Sequence, residues 1–260
     1  MRYEHIHVAT DGGVATVTMN RPERRNALSE ALMRELTAAF GALGDAGEAR
    51  AIVLAANGTV FSAGHDFADM VERDERGVRR LLDVCTELML TVQRVPQPVV
   101  ARVQGVATAA GCQLVASCDL AVASESATFA TPGGKGGWFC TTPMVAVSRA
   151  IGPKRALEML FTGEPIGAAT ALAWGLVNRV VPAARLVEET DALARAASRG
   201  STRSKATGKR AFYDTIALDL EAAYAKACDV MASSAVTEDG REMMRSFLEK
   251  RPGVYPPRKA

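Results

Sequence analysis

Phe61-Ser62-Ala63-Gly64-His65-Asp66 and Gly105-Val106-Ala107-Thr108-Ala109-Ala110-Gly111-Cys112-Gln113 are two glycine-containing turns, and they are the most informative stretches of this chain. Each follows an apolar strand and precedes a helix, so each has an unpaired backbone N–H at the turn. Two such groups aimed at one point are what an oxyanion hole requires. Taken alone, either turn is better explained as ordinary turn structure, but the two in this order, together with residues 20–28 and the C-terminal tail, favour a site of that kind.

Composition limits the class of protein. The chain has 260 residues, of which 48% are hydrophobic, so it can bury a substantial core. Its net charge of +2 gives no electrostatic reason to expect a nucleic-acid or membrane partner. The five cysteines have no metal-ligand spacing and suit a reducing compartment. No apolar run is long enough to cross a membrane, and residues 1–5 lack the core of a secretory signal. We expect a soluble cytoplasmic protein without a metal site.

The order of predicted elements indicates the architecture. Residues 6–9 and 14–19 form a predicted hairpin closed by Asp11-Gly12-Gly13. A helix is predicted from Ser29, its N-cap, to Gly44. Before the second glycine turn, apolar runs predict strands over residues 51–55 and 99–103, and a helix is predicted between them over about residues 76–92. Two strands followed by a helix differ from the steady alternation of a doubly wound sheet.

The pattern changes near residue 184, after which only helical segments are predicted. We therefore divide the chain into a core, residues 1–185, and a C-terminal helical portion, residues 186–260. The predicted helices of this portion cover residues 186–198, 201–212, 219–232 and 237–249.

With Asn20-Arg21-Pro22-Glu23-Arg24-Arg25-Asn26-Ala27-Leu28, the two glycine turns resemble the crotonase family, also called the enoyl-CoA hydratase/isomerase superfamily. The resemblance covers nearly the whole chain, and residues 107–119 and 157–166 resemble one branch in particular. It implies an α/β fold, a spiral of ββα repeats whose C-terminal helices pack across subunits in trimers, often paired into hexamers. It also implies an acyl-CoA thioester substrate, with CoA as part of the substrate and no separate cofactor.

The same resemblance implies the site residues. The two backbone donors would be the N–H groups of His65 and Ala110. The neighbouring turn residues implied to bind substrate are Ala63, Gly64, Asp66 and Gly111, although Asp66 also suits the polar start of the next helix.

The cationic segment and the tail complete the implied substrate site. Arg24 and Arg25 would hold CoA phosphates, and backbone groups of Ala27 would meet the adenine or pantetheine. In isolation this segment is equally a charged surface turn. The tail residues implied to close the CoA pocket, sometimes from a neighbouring subunit, are Lys209, Phe212, Phe247 and Lys250. The two phenylalanines are equally explicable as helix-core residues.

Two positions depart from the family's pattern. Hydratases of the family use one glutamate to activate water and another to deliver a proton, and these positions are Gln113 and Gly133 here. An amide can hold a water but cannot take its proton at neutral pH. The position at which some dienoyl isomerases carry an aspartate is Thr141. Standard hydration is therefore not expected, and glutamates restored at both positions are expected to raise it.

Other side chains could supply chemistry. The His65 ring is the leading substitute acid or base, because imidazole titrates near neutral pH. Alternatively, only its backbone acts and the ring points toward solvent or Asp66. Cys112 and Cys140 are interpreted as packing residues. The residues expected to line an acyl cavity are Trp138, Phe139 and Met144.

Two functional hypotheses follow. The first is an acyl-CoA enzyme, nominally an enoyl-CoA hydratase/isomerase lyase, that stabilises a thioester enolate with an altered acid-base apparatus. The second is a catalytically weak acyl-CoA binding protein that sequesters or presents a thioester. A purely oligomeric scaffold is weaker, because it gives the two donor turns no reason to occur together.

Overall fold

A computed structural model of the chain describes residues 3–256. Its first elements are β1 (Ile6–Asp11) and β2 (Val14–Met19), which pair antiparallel. Gly12 and Gly13 make the turn between them with φ angles of +52° and +81°, which glycine adopts at little cost. The predicted hairpin is confirmed. Residues 1–2 and 257–260, which the predicted core and helical portion include, lie outside the described residues.

A unit of two strands and one helix recurs four times along the described chain. After β2, the elements are α1 (Glu30–Ala46), β3 (Ala51–Ala56), β4 (Val60–Ser62), α2 (Glu75–Arg94), β5 (Val99–Val103), β6 (Val106–Thr108), α3 (Ala110–Ser117), β7 (Leu120–Ser124), β8 (Thr128–Ala130) and α4 (Pro143–Ile151). This order confirms the predicted spiral of ββα repeats and the α/β class.

The two strands of each later unit enter different sheets. A six-stranded sheet has the order β1-β2-β3-β5-β7-β10, where β10 is Arg179–Val181, and a four-stranded sheet has the order β4-β6-β8-β9, where β9 is Ile166–Gly167. Apart from the β1–β2 and β8–β9 pairs, the paired strands are parallel. Because β4 and β6 are parallel neighbours, the two glycine turns that follow them leave the same edge of the sheet.

Helix ends follow local capping signals. The Ser29 hydroxyl accepts the N–H of Leu32, as an N-cap does, and α1 runs two residues beyond the predicted end before stopping at Gly47, whose φ is +67°. Asp74 caps α2 in the same way by accepting the N–H of Gly77. The predicted helices are therefore confirmed with small shifts at their ends.

Six helices complete the described chain: α5 (Pro153–Thr162), α6 (Ala168–Trp174), α7 (Leu186–Ala197), α8 (Thr202–Thr215), α9 (Leu220–Ala235) and α10 (Glu238–Leu248). The last four confirm the predicted C-terminal helices. Leu186 and Ala194 of α7 are buried with Val53 and Val100 of the six-stranded sheet, so α7 packs on the core. In α8 and α9 no residue is buried. The division at residue 185 stays a prediction. No described helix has the length and apolarity that a membrane span requires.

Candidate active site

The first glycine turn pairs with the segment that follows residues 21–25, which we call the cationic turn because they include Arg21, Arg24 and Arg25. The N–H of Leu28 donates to the carbonyl of Gly64 (2.7 Å), and the N–H of Asp66 donates to the carbonyl of Leu28 (3.3 Å). Leu28 thus bonds to the residues on both sides of His65, in a parallel bridge. In such a bridge the N–H of the middle residue points away from the opposite strand. The His65 N–H therefore points away from Leu28, and it has no acceptor among the described residues.

The second glycine turn begins α3 at Ala110. Ala109 precedes the helix with φ 51° and ψ −120°, a conformation that side chains disfavour. The Ala109 N–H donates to the carbonyl of Ala130 (2.9 Å), which holds the turn in place. Because Ala110 is the first residue of the helix, its N–H lacks an intrahelical acceptor. Strain at Ala109 is thus located next to a backbone donor that has no intrahelical acceptor.

The two turns pack directly on each other. A Cβ at Gly64, whose φ is +89°, would lie 2.9 Å from the Cβ of Ala109 and 3.3 Å from the nitrogen of Ala110. A Cβ at Gly111 would lie 2.5 Å from the carbonyl oxygen of Ser62. Glycine is therefore required on both sides of this contact, because any side chain would separate the turns. The structure thus places the two glycine turns in direct contact, as predicted.

A cavity of about 390 Å³ opens beside the two turns. The residues that line it are Ala63, His65, Phe67, Leu82, Ala109, Ala110, Pro132, Gly133, Gly136, Gly137, Trp138, Phe139, Cys140, Thr141, Thr142 and Pro143. Within this lining there is no carboxylate, ammonium or guanidinium group. Both residues with free N–H groups face one mainly apolar space, and such concave apolar sites with a few polar groups are typical of ligand binding.

The His65 ring belongs to this cavity. Its two nitrogens are buried and have no hydrogen-bond partner among the described residues. Burial lowers the pKa of His65 below its ordinary value of 6.5, since the charged imidazolium loses hydration, and the nearby Leu28 backbone opposes this shift only in part. The ring is therefore neutral at pH 7. The predicted orientation of the ring toward solvent is wrong, because its nitrogens are buried, and neither nitrogen bonds to Asp66. That only the backbone of His65 acts stays a prediction.

Gly133 and Gln113, the positions of the two family glutamates, differ in their surroundings. Gly133 lines the cavity, and its N–H donates to the Sγ of Cys140 (3.3 Å). Gln113 lies in α3 at 5% exposure, outside the cavity lining, and its Oε1 is buried without a partner. The structure thus brings Gly133 but not the Gln113 side chain to the cavity wall.

Two of the three residues that we predicted to line an acyl cavity do so. Trp138, Phe139 and Thr141 line the cavity, as does Cys140, whose thiol pKa is raised by burial. Met144 on α4, which is 38% exposed, does not line it, so that prediction is wrong. The interpretation of Cys140 as a residue that merely packs is therefore incomplete.

Asp66 organises the cationic turn. Its carboxylate pairs with Arg21 (3.4 Å) and Arg24 (3.2 Å) and accepts the N–H of Ala68 (3.2 Å) as a cap. The Asp66 side chain is 7% exposed. Direct substrate binding by Asp66 is therefore corrected to a structural role, because its oxygens are occupied by cations and the cap. The alternative, that it begins the next helical turn, is confirmed by its cap of Phe67–Asp69.

Asn26 was missed by sequence reasoning. It is fully buried with φ 49°, and its side-chain amide donates to the carbonyls of Asn57 (2.9 Å) and Val60 (2.8 Å). Its Oδ1 accepts the N–H of Arg21 (2.9 Å). These bonds fix the cationic turn to the β3–β4 connection. An asparagine after two arginines was the available signal, since asparagine tolerates left-handed conformations.

Arg24 and Arg25 of the cationic turn lie at the surface. Arg25 is exposed, and its guanidinium has no partner within residues 3–256. The Arg25 carbonyl accepts the N–H of Ala63 (3.1 Å), which brings this turn beside the cavity. The N–H of Ala27 donates to the carbonyl of Arg24 (3.0 Å), and the Ala27 carbonyl accepts both the N–H of Ser29 (2.9 Å) and the guanidinium of Arg21 (3.0 Å). With its N–H and both lone pairs of its carbonyl occupied, the Ala27 backbone offers no free group to a ligand.

Lys209 does not bind at the cavity. Its ammonium pairs with Asp119 (2.6 Å) and donates to the carbonyls of Val92 and Gln97 (both 2.9 Å). Burial lowers the pKa of Lys209, and the Asp119 carboxylate opposes that shift. The predicted substrate contact is corrected to an internal tie, because three acceptors already occupy the amine.

The other tail residues lie at the surface of this chain. Phe212 is 55% exposed and Phe247 78% exposed, so the interpretation of both as core residues is wrong for the isolated chain. Lys250 is also exposed, with φ 52°, just after α10. None of these three lines the cavity. Among the described residues, no group of three or more His, Cys, Asp or Glu side chains could hold a metal ion.

Comparison with known proteins gives one family. The family model described as enoyl-CoA hydratase/isomerase matches residues 9–257. A human protein named enoyl-CoA hydratase domain-containing protein 3, mitochondrial, is 43% identical over 244 residues, which cover 94% of this chain and 80% of that one. The mouse protein of that name is 42% identical over 94% of this chain and 81% of its own length.

Solved structures agree with the sequence comparison. A crystal structure of an enoyl-CoA hydratase from Mycobacterium smegmatis superposes with a TM-score of 0.93 at 46% identity, covering 96% of this chain and 98% of that one. The crystal structure of human enoyl coenzyme A hydratase domain-containing protein 3 gives a TM-score of 0.92 at 41% identity, covering 96% and 100%. The predicted branch resemblance is confirmed by these similarities.

Proposed function

The chain belongs to the enoyl-CoA hydratase/isomerase family, and on that premise we propose that it binds acyl-CoA thioesters and stabilises their enolates. One observation carries the proposal: Gly64 and Gly111 let two turns pack together so that His65 and Ala110, both with free N–H groups, line one apolar cavity. The thioester carbonyl oxygen would lie between these donors. One such donor contributes about 3–4 kcal/mol to transition-state stabilisation.

Proton transfer is the altered part of the site. In the described lining, His65 is the side chain whose ordinary pKa is closest to neutral pH. A neutral imidazole can accept a proton from the α-carbon of a bound thioester while the donors hold the enolate oxygen. The burial that keeps the ring neutral also disfavours the imidazolium formed in that step. We therefore expect slow proton exchange or double-bond isomerisation, which need one base, in preference to rapid hydration.

The nucleotide end of CoA is assigned to the cationic turn. Arg25 has an unpartnered guanidinium, and Arg24 is half exposed although it pairs with Asp66. Guanidinium groups bind phosphates through paired, charge-assisted hydrogen bonds. CoA enters this proposal as part of the substrate, and no further cofactor is part of it.

A catalytically weak acyl-CoA binding protein is the alternative, and the cavity's lack of a carboxylate among the described lining residues favours it. Exchange of the α-protons of a saturated thioester, which involves no addition of water, distinguishes the two functions. If butanoyl-CoA in D₂O exchanges its α-protons faster with the protein than without it, the enzyme is supported. Binding without exchange or turnover would support the binding protein.

We also propose a homotrimer or a dimer of trimers. Exposed apolar side chains on α9 and α10 and between α8 and α9 give the C-terminal helices a surface that a second copy would cover: Leu218, Leu220, Tyr224, Met231 and Phe247. In that assembly Phe212, Phe247 and Lys250 would lie beside a neighbour's CoA site. Sedimentation at micromolar concentration should give a trimer or hexamer, and a monomer would contradict this. The named relatives are described as mitochondrial, whereas our cytoplasmic location rests on the sequence and stays a prediction.

Binding of the CoA moiety gives the first test of the proposed function. Calorimetry should show binding of butanoyl-CoA and none of free butanoate, because the acid lacks the nucleotide that Arg24 and Arg25 recognise. Equal affinity for the two would overturn the proposal. Crotonyl-CoA hydration should be slow, since each absent acid or base typically contributes about 10² to 10⁴-fold.

A further inference from the structure

Residues 136–142 form one continuous wall of the cavity. Apart from His65, the lining contributed by the two glycine turns is made of small residues, Ala63, Ala109 and Ala110, and Gly133 is another small lining residue. The large side chains of the lining are Phe67, Leu82, Trp138 and Phe139. The space left for an acyl group is therefore limited by a few bulky side chains.

The backbone of this wall is fixed close to Trp138. The Trp138 carbonyl oxygen occupies the place of a side chain at position 133, since a Cβ there would lie 2.2 Å away. Two residues later, the Sγ of Cys140 accepts the Gly133 N–H (3.3 Å). These contacts on either side of Phe139 tie the wall to the turn Pro132–Lys135. These contacts hold the backbone on both sides of Phe139 against that turn, so the size of the Trp138 side chain bears directly on the cavity width.

The Trp138 indole stands between the cavity and solvent. It lines the cavity and yet is 46% exposed. Its ring centre lies 6.4 Å from that of His65 and 6.3 Å from that of Phe67, distances at which aromatic pairs attract. The Trp138 ring therefore contacts the rings of both His65 and Phe67, which also line the cavity.

We infer that Trp138 determines the size of the acyl group by closing the cavity beyond a short chain. The inference rests on the proposed function, because it concerns which acyl-CoA thioesters the same site accepts. A volume of about 390 Å³ is at the low end of ligand sites, about 300–1,000 Å³, and it must also hold the thioester. Truncation of the indole would open the wall to solvent, so a long chain could pass through it. A short chain would lose an apolar contact.

Trp174 provides a matched control. It lies in α6, outside the cavity lining, and its ring packs under the guanidinium of Arg155 at 6.0 Å. A variant at Trp174 therefore removes the same indole from the protein without touching the cavity.

Saturated butanoyl-, octanoyl- and dodecanoyl-CoA test the inference by calorimetry, because they cannot be hydrated and report binding alone. Trp138→Ala should shift the ratio of the butanoyl-CoA and dodecanoyl-CoA dissociation constants at least about tenfold toward the long chain. Trp138→Phe should shift it less, and Trp174→Ala should leave it within about twofold. An unchanged ratio in Trp138→Ala would overturn the inference and leave the proposed function standing. Failure of the wild-type protein to bind any of the three would overturn both.

Fluorescence gives a second readout that does not depend on the alanine variant's folding. In Trp174→Phe protein, the emission comes from Trp138, and butanoyl-CoA should change it. In Trp138→Phe protein, the emission comes from Trp174, and it should not respond. Emission from Trp138 that stays constant while calorimetry records binding would place the acyl group away from the indole and overturn the inference.

Discussion

The carbonyl oxygen of Trp138 lies 2.2 Å from the point where a Cβ would stand on Gly133. The backbone nitrogen and the Sγ of Cys140 each lie 2.9 Å from the same point. Position 133 is closed to any side chain unless residues 138–140 move. The expectation that glutamates at Gln113 and Gly133 raise hydration stays a prediction, and at position 133 it requires the cavity wall to move, because Gly133→Glu would displace residues 138–140 before it supplied an acid.

Gly133→Ala should destabilise the protein by about 1–3 kcal/mol, because a methyl group is forced against backbone atoms. Gly137→Ala is the matched control, since Gly137 lines the same cavity and a Cβ there meets nothing within 4 Å. The free energy of unfolding in urea measures both. Equal stability of the two variants would mean that the wall yields readily at Trp138.

Gly64→Ala should lower α-proton exchange of butanoyl-CoA by about 10² to 10³-fold, because the methyl group would push the His65 turn away from Ala109. Gly152→Ala is the control, as its φ of +78° imposes similar strain while a Cβ there meets nothing within 4 Å. Comparable exchange rates in the two variants would show that the contact between the turns does not position a donor.

The stability of the protein should fall on acidification partly because of His65. Its pKa is lowered in the folded protein, so the unfolded chain binds more protons between that pKa and 6.5. The contribution is fully present above pH 6.5 and is lost as the pH falls through the folded pKa. His65→Gln should lose less stability than wild type between pH 7 and pH 5 in urea titrations. Parallel losses would place the ring in water and not in the cavity.

Lys209→Met should cost up to about 3 kcal/mol of stability, because it leaves the Asp119 carboxylate and two carbonyls without their buried donor. Butanoyl-CoA affinity should change less than about twofold. Lys205→Met, at an exposed position of the same helix, should change neither quantity appreciably. A stable Lys209→Met protein with weakened thioester binding would restore the predicted contact between Lys209 and the substrate.

The backbone part of the candidate site was predictable because glycine and strand-to-helix signals are local. Gly64 and Gly111 each mark a turn, and parallel pairing of their strands brings the turns together. Ser29 likewise marks the start of α1, because its own hydroxyl caps the helix. These features depend on a residue and its immediate neighbours.

The side-chain part depends on contacts between distant segments, so it was less predictable. Asp66 pairs with Arg21 across the bridge between the two segments, and nothing in either segment alone specifies that pair. Lys209 meets Asp119 from a helix far along the chain. The Trp138 carbonyl closes position 133 only because of the path that the loop between them takes. The sequence does not predict that path, since the glycines of the loop permit many conformations.

The infrared carbonyl stretch of bound butanoyl-CoA, labelled with ¹³C at the thioester carbon, tests the central claim most directly. If the backbone N–H groups of His65 and Ala110 hold the carbonyl oxygen, the difference spectrum should show the stretch at lower frequency than for the free thioester in water. The shift should shrink in Gly64→Ala and persist in Gly152→Ala. A bound thioester whose stretch matches the free ligand in the wild-type protein would contradict the account.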